Sequence, residues 1–78
     1  MIDVVQMLPV VSSNVESIGY DVDKQELHVR FKGSKGEVYV YEKVFPEVHS
    51  NLMACDSIGG FLSKNVKPHY KFRKVMIS

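Results

Sequence analysis

Apolar and polar side chains alternate with a period of two over three stretches of this chain. Ile18, Tyr20 and Val22 alternate with Ser17, Gly19 and Asp21; Leu27, Val29 and Phe31 with His28, Arg30 and Lys32; and Tyr39, Tyr41 and Lys43 stand opposite Val38, Val40 and Glu42. Alternation of this kind places one set of side chains on each face of a strand. Asp23, Lys24 and Gln25 supply the first turn, and Gly33, Ser34, Lys35 and Gly36 supply a short hairpin loop. Three strands in an antiparallel meander follow. After Val44 the period changes: Val48, Leu52 and Cys55 recur at helical spacing, Pro46 suits a first helical turn and Glu47 suits its positive end. Ser57 is placed to cap a second helical stretch with Ile58, Phe61 and Leu62 on one side, Asn65 as a stop and Lys67-Pro68 closing it. From His69 the pattern is extended again, Tyr70 and Phe72 alternating with Lys71 and Arg73. The predicted fold class is α+β: a three-stranded antiparallel meander, one to two short helices on one face, and a C-terminal extended segment or fourth strand.

With 78 residues and continuous periodicity from Val10 to Ile77, the chain reads as one domain without repeats, linkers or low-complexity segments. A domain of this size buries only about 60% of the surface its unfolded chain exposes, so its core must be economical. The single cysteine, Cys55, cannot close an internal disulfide, which favours a reducing cytoplasm over an oxidising compartment. Asp3, Gln6 and Pro9 interrupt the apolar start and argue against an export signal. No apolar run approaches the roughly 18 residues needed to span a bilayer, so no membrane association is expected.

Net charge conceals an asymmetry. Residues 1–60 carry five basic and nine acidic side chains, whereas residues 61–78 carry Lys64, Lys67, Lys71, Arg73 and Lys74 and no acid. This basic end interleaves with His69, Tyr70 and Phe72, which suits phosphate contact with a ring available for a base. The competing reading, in which the rings pack inward and the cations face water, is the weightier one. Tyr39 and Tyr41 pose the same choice between a stacking platform beside Arg30 and Lys32 and packing in the core. Ser57, Gly59 and Gly60 suggest a helix cap first and an anion-holding amide nest second. A serine nucleophile would need a base held by a third group, and no local spacing supplies one, so no enzyme is expected. His28, His49, His69 and Cys55 lack the paired spacing of a zinc site; no metal or cofactor is expected, with His28 facing water and His49 on the polar side of its helix. The N-terminal stretch, with Ile2, Val4, Val5, Met7, Leu8, Val10 and Val11, needs a cover, from its own domain or from a second copy.

In order and spacing, Val10-x-Ser12-Ser13, Ile18-Gly19-Tyr20-Asp21, Leu27-x-Val29-x-Phe31, Tyr39-x-Tyr41, Val48 and Leu52, Ser57-x-Gly59 and Tyr70-x-Phe72 resemble the KTSC domain. That module is named for its place at the C-terminus of some lysyl-tRNA synthetases and also stands alone in small bacterial and phage proteins. The resemblance covers about Met7 to Phe72 and leaves residues 1–6 as an extension. It implies that the tyrosine pair points toward the helices. Val44-Phe45-Pro46 departs from the family's usual Val-Pro, and Val40 makes both faces of its strand apolar.

The expectation is therefore a non-catalytic binding module. Its first partner is RNA or single-stranded nucleic acid, held through Lys64, Lys67, His69, Tyr70, Lys71, Arg73 and Lys74. The alternative is a protein-interaction or homodimerisation module that uses the apolar N-terminal stretch.

Overall fold

The computed structural model describes residues 5–33 and 35–76. Its centre is a five-stranded antiparallel sheet in sequence order: β1 (Leu8–Pro9), β2 (Val15–Asp21), β3 (Glu26–Phe31), β4 (Glu37–Tyr41) and β5 (Phe72–Met76). Two helices, α1 (Pro46–Ala54) and α2 (Ile58–Phe61), lie between β4 and β5 in the chain, and α2 runs on into a π turn over Leu62–Val66. The α+β class, the meander and the terminal strand are as the sequence predicts. What the alternation does not reveal is β1, which is two residues long, contains Pro9 and pairs Leu8 with Ile18 on β2.

The turn chemistry explains the connections. Asp21 Oδ1 accepts from the amides of Asp23 and Lys24 at 3.1 Å each, and Gln25 takes a left-handed φ of 54° to close the β2–β3 turn. Val22, expected on a strand, belongs to this turn and is exposed. Gly33 and Gly36, with φ of 83° and 84°, supply the left-handed positions of the next loop. Pro46 opens α1, and Ser57 caps α2 by accepting from the Gly60 amide at 3.2 Å, so both predicted helix starts hold.

In β2 the register shifts between Val15 and Ser17, which face Phe31 and Arg30 respectively. Glu16 is the extra residue of this bulge. An insertion of one residue shifts the side-chain alternation by one position. It lets Val15 join Ile18 in the core, at 0% and 1% exposure, an odd and an even position that simple alternation would separate. Leu27, Val29 and Tyr41 join them from the sheet, and Val44, Leu52, Leu62 and Val66 meet them from the helical side. Full burial of an aliphatic side chain such as Leu52 or Leu62 contributes about 1.5–3 kcal/mol.

The opposite face of the sheet is covered too. A Cβ at Gly19 would lie 2.7 Å from Val5 Cγ1, 2.8 Å from Met7 Sδ and 2.9 Å from the Gln6 carbonyl oxygen. The N-terminal segment thus crosses β2 where only a glycine admits it. Val38 and Val40, on this face of β4, are closed to solvent, in keeping with the doubly apolar strand seen in the sequence. His28 therefore does not face open water as its alternation suggests. Its side chain is 14% exposed, 3.8 Å from Glu26, with Nε2 buried and without a hydrogen-bond partner.

Candidate nucleic-acid interface

On the helical face, the two-residue period of β4 aligns Glu37, Tyr39 and Tyr41, while β5 sets Lys74 beside Tyr39 and Phe72 beside Tyr41. Burial falls along this row, from Tyr41, which is buried, to Tyr39 and Glu37, which are half-buried. Tyr41, 1% exposed, belongs to the core, and burial pushes its phenol above the ordinary value, helped by the neighbouring Tyr39. Tyr39, half-buried, stands at the margin. Its ring meets Phe31 edge-on at 5.2 Å and stacks on Phe72 at 5.2 Å with 29° between planes. Phe72 closes the row against Tyr41 at 5.7 Å and is 51% exposed. Phe31, Tyr39 and Phe72 thus touch one after another across three strands, the first two half-buried and Phe72 exposed.

Two ammonium groups lie over them. Lys67 Nζ is 4.9 Å from the centre of Phe31, and Lys74 Nζ is 5.9 Å from the centre of Tyr39. Lys67 is delivered by the π turn, whose wide closure sends the Lys67 amide back to the Leu62 carbonyl at 2.8 Å. Beside the rings runs a groove of about 360 Å³ lined by Phe31, Lys32, Gly33, Glu37, Tyr39 and Lys67. It lies at the small end of the size range for ligand pockets, ~300–1,000 Å³.

The basic end that the sequence presents as one segment is divided by the fold. Lys67 and Lys74 join the ring surface. Arg73, one residue from Lys74 on β5, necessarily points to the other face, where it donates to Glu26 at 3.1 and 3.3 Å and to Glu42 at 3.4 Å. Those carboxylates raise its pKa further. His69, Tyr70 and Lys71 line a separate shallow depression with Glu42 and Lys43, Tyr70 packing against the core. Lys64 is exposed on the π turn.

At the start of α2, the Gly60 amide that an anion nest would require is already used by Ser57 Oγ. Gly59 admits Asn14, whose Oδ1 lies 2.5 Å from where a Cβ would be. Beside this cap and close contact lies a depression of about 310 Å³ lined by Ser12, Ser13, Asn14, Ser57, Gly59 and Gly60. His49 is not a solvated helix residue: its ring stacks on Tyr20 at 4.8 Å and 8°, and Tyr20 donates its hydroxyl to the Val44 carbonyl. Cys55, half-buried, donates from Sγ to the Leu52 carbonyl at 3.0 Å. Among the described residues no group of histidine, cysteine and carboxylate side chains is gathered as metal ligands would be. None of the described helices is long and apolar enough to cross a membrane.

Two members of the site escape the sequence pattern. Phe31 reads as a core position by alternation; it does pack against the core, and only its half-burial at the end of β3, under Lys67, distinguishes it. Glu37 is a lone acid beside a loop.

The fold and this surface define a small α+β module that presents rings and lysines at the rim of an antiparallel sheet. The chain belongs to the KTSC domain family, whose profile matches residues 11–70. A protein of Tsukamurella paurometabola is 45% identical over 65 residues, covering 83% of this chain and 94% of that one. An uncharacterized protein of Stutzerimonas stutzeri is 42% identical over 65 residues, covering 82% and 89%. The crystal structure of the KTSC domain protein YPO2434 from Yersinia pestis superposes with a TM-score of 0.85 at 35% identity, over 92% of this chain and 99% of that one.

Proposed function

We propose that this protein is a non-catalytic binding module for single-stranded nucleic acid, RNA first, and that Phe31, Tyr39 and Phe72 with Lys32, Lys67 and Lys74 form the contact surface. The observation that carries the reading is the pair of ammonium groups held over two half-buried rings, Phe31 and Tyr39, beside the exposed Phe72. An exposed cation–π contact contributes only about 0.5–1 kcal/mol. A base stacked on an aromatic side chain contributes about 1–3 kcal/mol. A base therefore displaces the lysines from the rings, and the released ammonium groups find phosphates within reach. RNA is preferred because the family takes its name from an appendage of a tRNA-charging enzyme.

The alternative, homodimerisation through the apolar N-terminal stretch, has less to draw on. Within the described residues, Leu8 and Pro9 pair with β2 and Val5 and Met7 lie against Gly19. Ile2 and Val4 fall outside the described residues.

Fluorescence anisotropy of a labelled single-stranded RNA between about 50 and 200 mM salt tests the proposal. Three phosphates met by lysines give a slope of log affinity against log salt of about −2. The double variant K67A/K74A loses most of the affinity, and F72A loses the stacking share. Binding that persists unchanged in K67A/K74A, or no binding by the wild type, overturns the assignment.

A further inference from the structure

We infer that the outer edge of β5 accepts an extended acidic peptide segment as an added antiparallel strand, with a carboxylate opposite Lys74 and apolar side chains opposite Phe72 and Met76. The inference goes beyond the nucleic-acid reading and does not depend on it.

The hydrogen bonds to β4 fix which backbone groups of β5 turn outward. The Glu42 amide donates to the Lys71 carbonyl at 2.9 Å, and these two residues continue the register in which Tyr41 faces Phe72. Opposed residues of an antiparallel pair alternately exchange hydrogen bonds and turn away from each other. Lys71, Arg73 and Val75 therefore bond to β4, whereas Phe72, Lys74 and Met76 send their N–H and C=O groups outward. β5 is the last strand of the sheet, and among the described residues no strand pairs with that side. The edge at the far side of the sheet is different. β1 consists of Leu8 and Pro9, and a short edge that ends in proline is a poor template. β5 has five residues, no proline and an unbroken register, and Phe72, Arg73, Lys74 and Met76 are exposed.

The side chains along this edge decide what it accepts. Phe72, Lys74 and Met76 share one face by the two-residue period, with Phe72 51% and Met76 70% exposed. A second copy of the chain suits them badly. Antiparallel self-pairing that sets Phe72 against the partner's Met76 also sets Lys74 against the partner's Lys74, and like charges directly opposite destabilise a strand pair. Lysine on an edge is a common guard against such pairing. A carboxylate at the same place reverses the sign of the interaction. No acid occurs from residue 61 onward, so the whole edge segment favours an acidic partner. The Lys74 side chain is 53% exposed, and its ammonium lies 3.4 Å from Glu37 on the inner side. With three donors, the ammonium meets a carboxylate across the edge without giving up that contact. Apolar residues two places to either side of the carboxylate then cover Phe72 and Met76. Main-chain bonds supply the affinity of such an added strand, and alternate side chains its specificity.

The test uses a short fluorescent peptide that alternates valine and threonine around one central glutamate, and a twin with lysine at the centre. Anisotropy follows their binding to wild type, K74E and M76P, and amide hydrogen exchange of wild type is compared with and without the glutamate peptide. The glutamate peptide binds wild type at least about fivefold more tightly than the lysine peptide. It slows exchange at the amides of Phe72, Lys74 and Met76, the every-second-residue pattern of an added strand. K74E reverses the preference between the peptides. M76P removes an outward N–H and no bond to β4, so it folds, as its amide NMR spectrum checks. It binds the glutamate peptide at least about fivefold more weakly, while its RNA affinity is unchanged because Met76 lies outside the ring surface. No binding of either peptide, equal affinity for the two, unaltered exchange at the three amides, or binding that survives in M76P overturns the inference. So does slowing of exchange at these amides with protein concentration alone, which makes a second copy the occupant. RNA binding, measured without peptide, stands or falls separately.

Discussion

The ammonium of Lys67 stands 4.9 Å from the centre of the Phe31 ring, which ties the residue after the π turn to the last residue of β3. The contact is exposed on the lysine side and so is weak as a source of stability. K67A is expected to lower unfolding stability by no more than about 1 kcal/mol. It is expected to make the salt dependence of RNA binding shallower by about 0.7. Urea denaturation and an anisotropy salt series measure the two effects separately.

Arg73 offers the matching control. Its guanidinium is committed to Glu26 and Glu42 on the face away from the rings, with 47% of the side chain exposed. An exposed ion pair contributes about 0–1 kcal/mol. R73A is therefore expected to cost no more than that in stability and to leave RNA affinity within twofold, unlike K67A/K74A. Equal losses in the two variants would show that charge in bulk, rather than its placement, governs binding.

Gly19 is expected to be the least replaceable glycine. A methyl group there collides with Val5, the Gln6 carbonyl and Met7, two of these being side chains trapped against the sheet. Overpacking of this kind costs about 1–3 kcal/mol. G19A should unfold at lower urea concentration, and its amides near residues 5–9 should exchange with deuterium faster than in wild type.

Stability should fall on both sides of neutrality. Burial holds His28 and His49 below the ordinary imidazole value; for His28 the carboxylates of Glu26 and Asp21 partly offset this. The folded protein then binds fewer protons than the unfolded chain. Stability is complete above about pH 6.5 and declines as pH falls through the lowered folded values. Tyr20 and Tyr41 show the reverse. Burial raises both phenols, with Glu47 and Asp21 adding to the effect at Tyr20 and Tyr39 at Tyr41. Their share is present below about pH 10 and is lost above it. Urea midpoints across the pH range check this, and H28Q and H49Q should each flatten the acid limb.

Much of the architecture can be read from the chain because Leu27, Val29 and Phe31 alternate cleanly and Pro46 and Ser57 mark helix starts. The rest depends on distances that periodicity does not encode. β1 escapes because two residues, one of them proline, make no pattern. The bulge at Glu16 escapes because an inserted residue looks like noise in an alternation. His28 appears solvated only while its face of the sheet is thought bare, and the cover comes from residues 5–7, a segment with no obvious address. The basic end seems to be one surface in sequence, yet strand geometry sends Lys74 and Arg73 to opposite faces. At the tyrosine pair alternation alone cannot separate the two rings: Tyr41 is fully buried, and Tyr39 is half-buried and packed against the core.

The π turn gives this surface a dependence on chain length rather than on residue identity. Five residues close a turn where a regular helix uses four, and the surplus one sets the angle at which Lys67 leaves the helix. Removing any single residue from Leu62–Val66 would tighten the turn and rotate that departure by about 100°, carrying the cation off Phe31 although every functional side chain was still present. Among relatives, a one-residue gap at this point would therefore move the lysine even where the rings are retained.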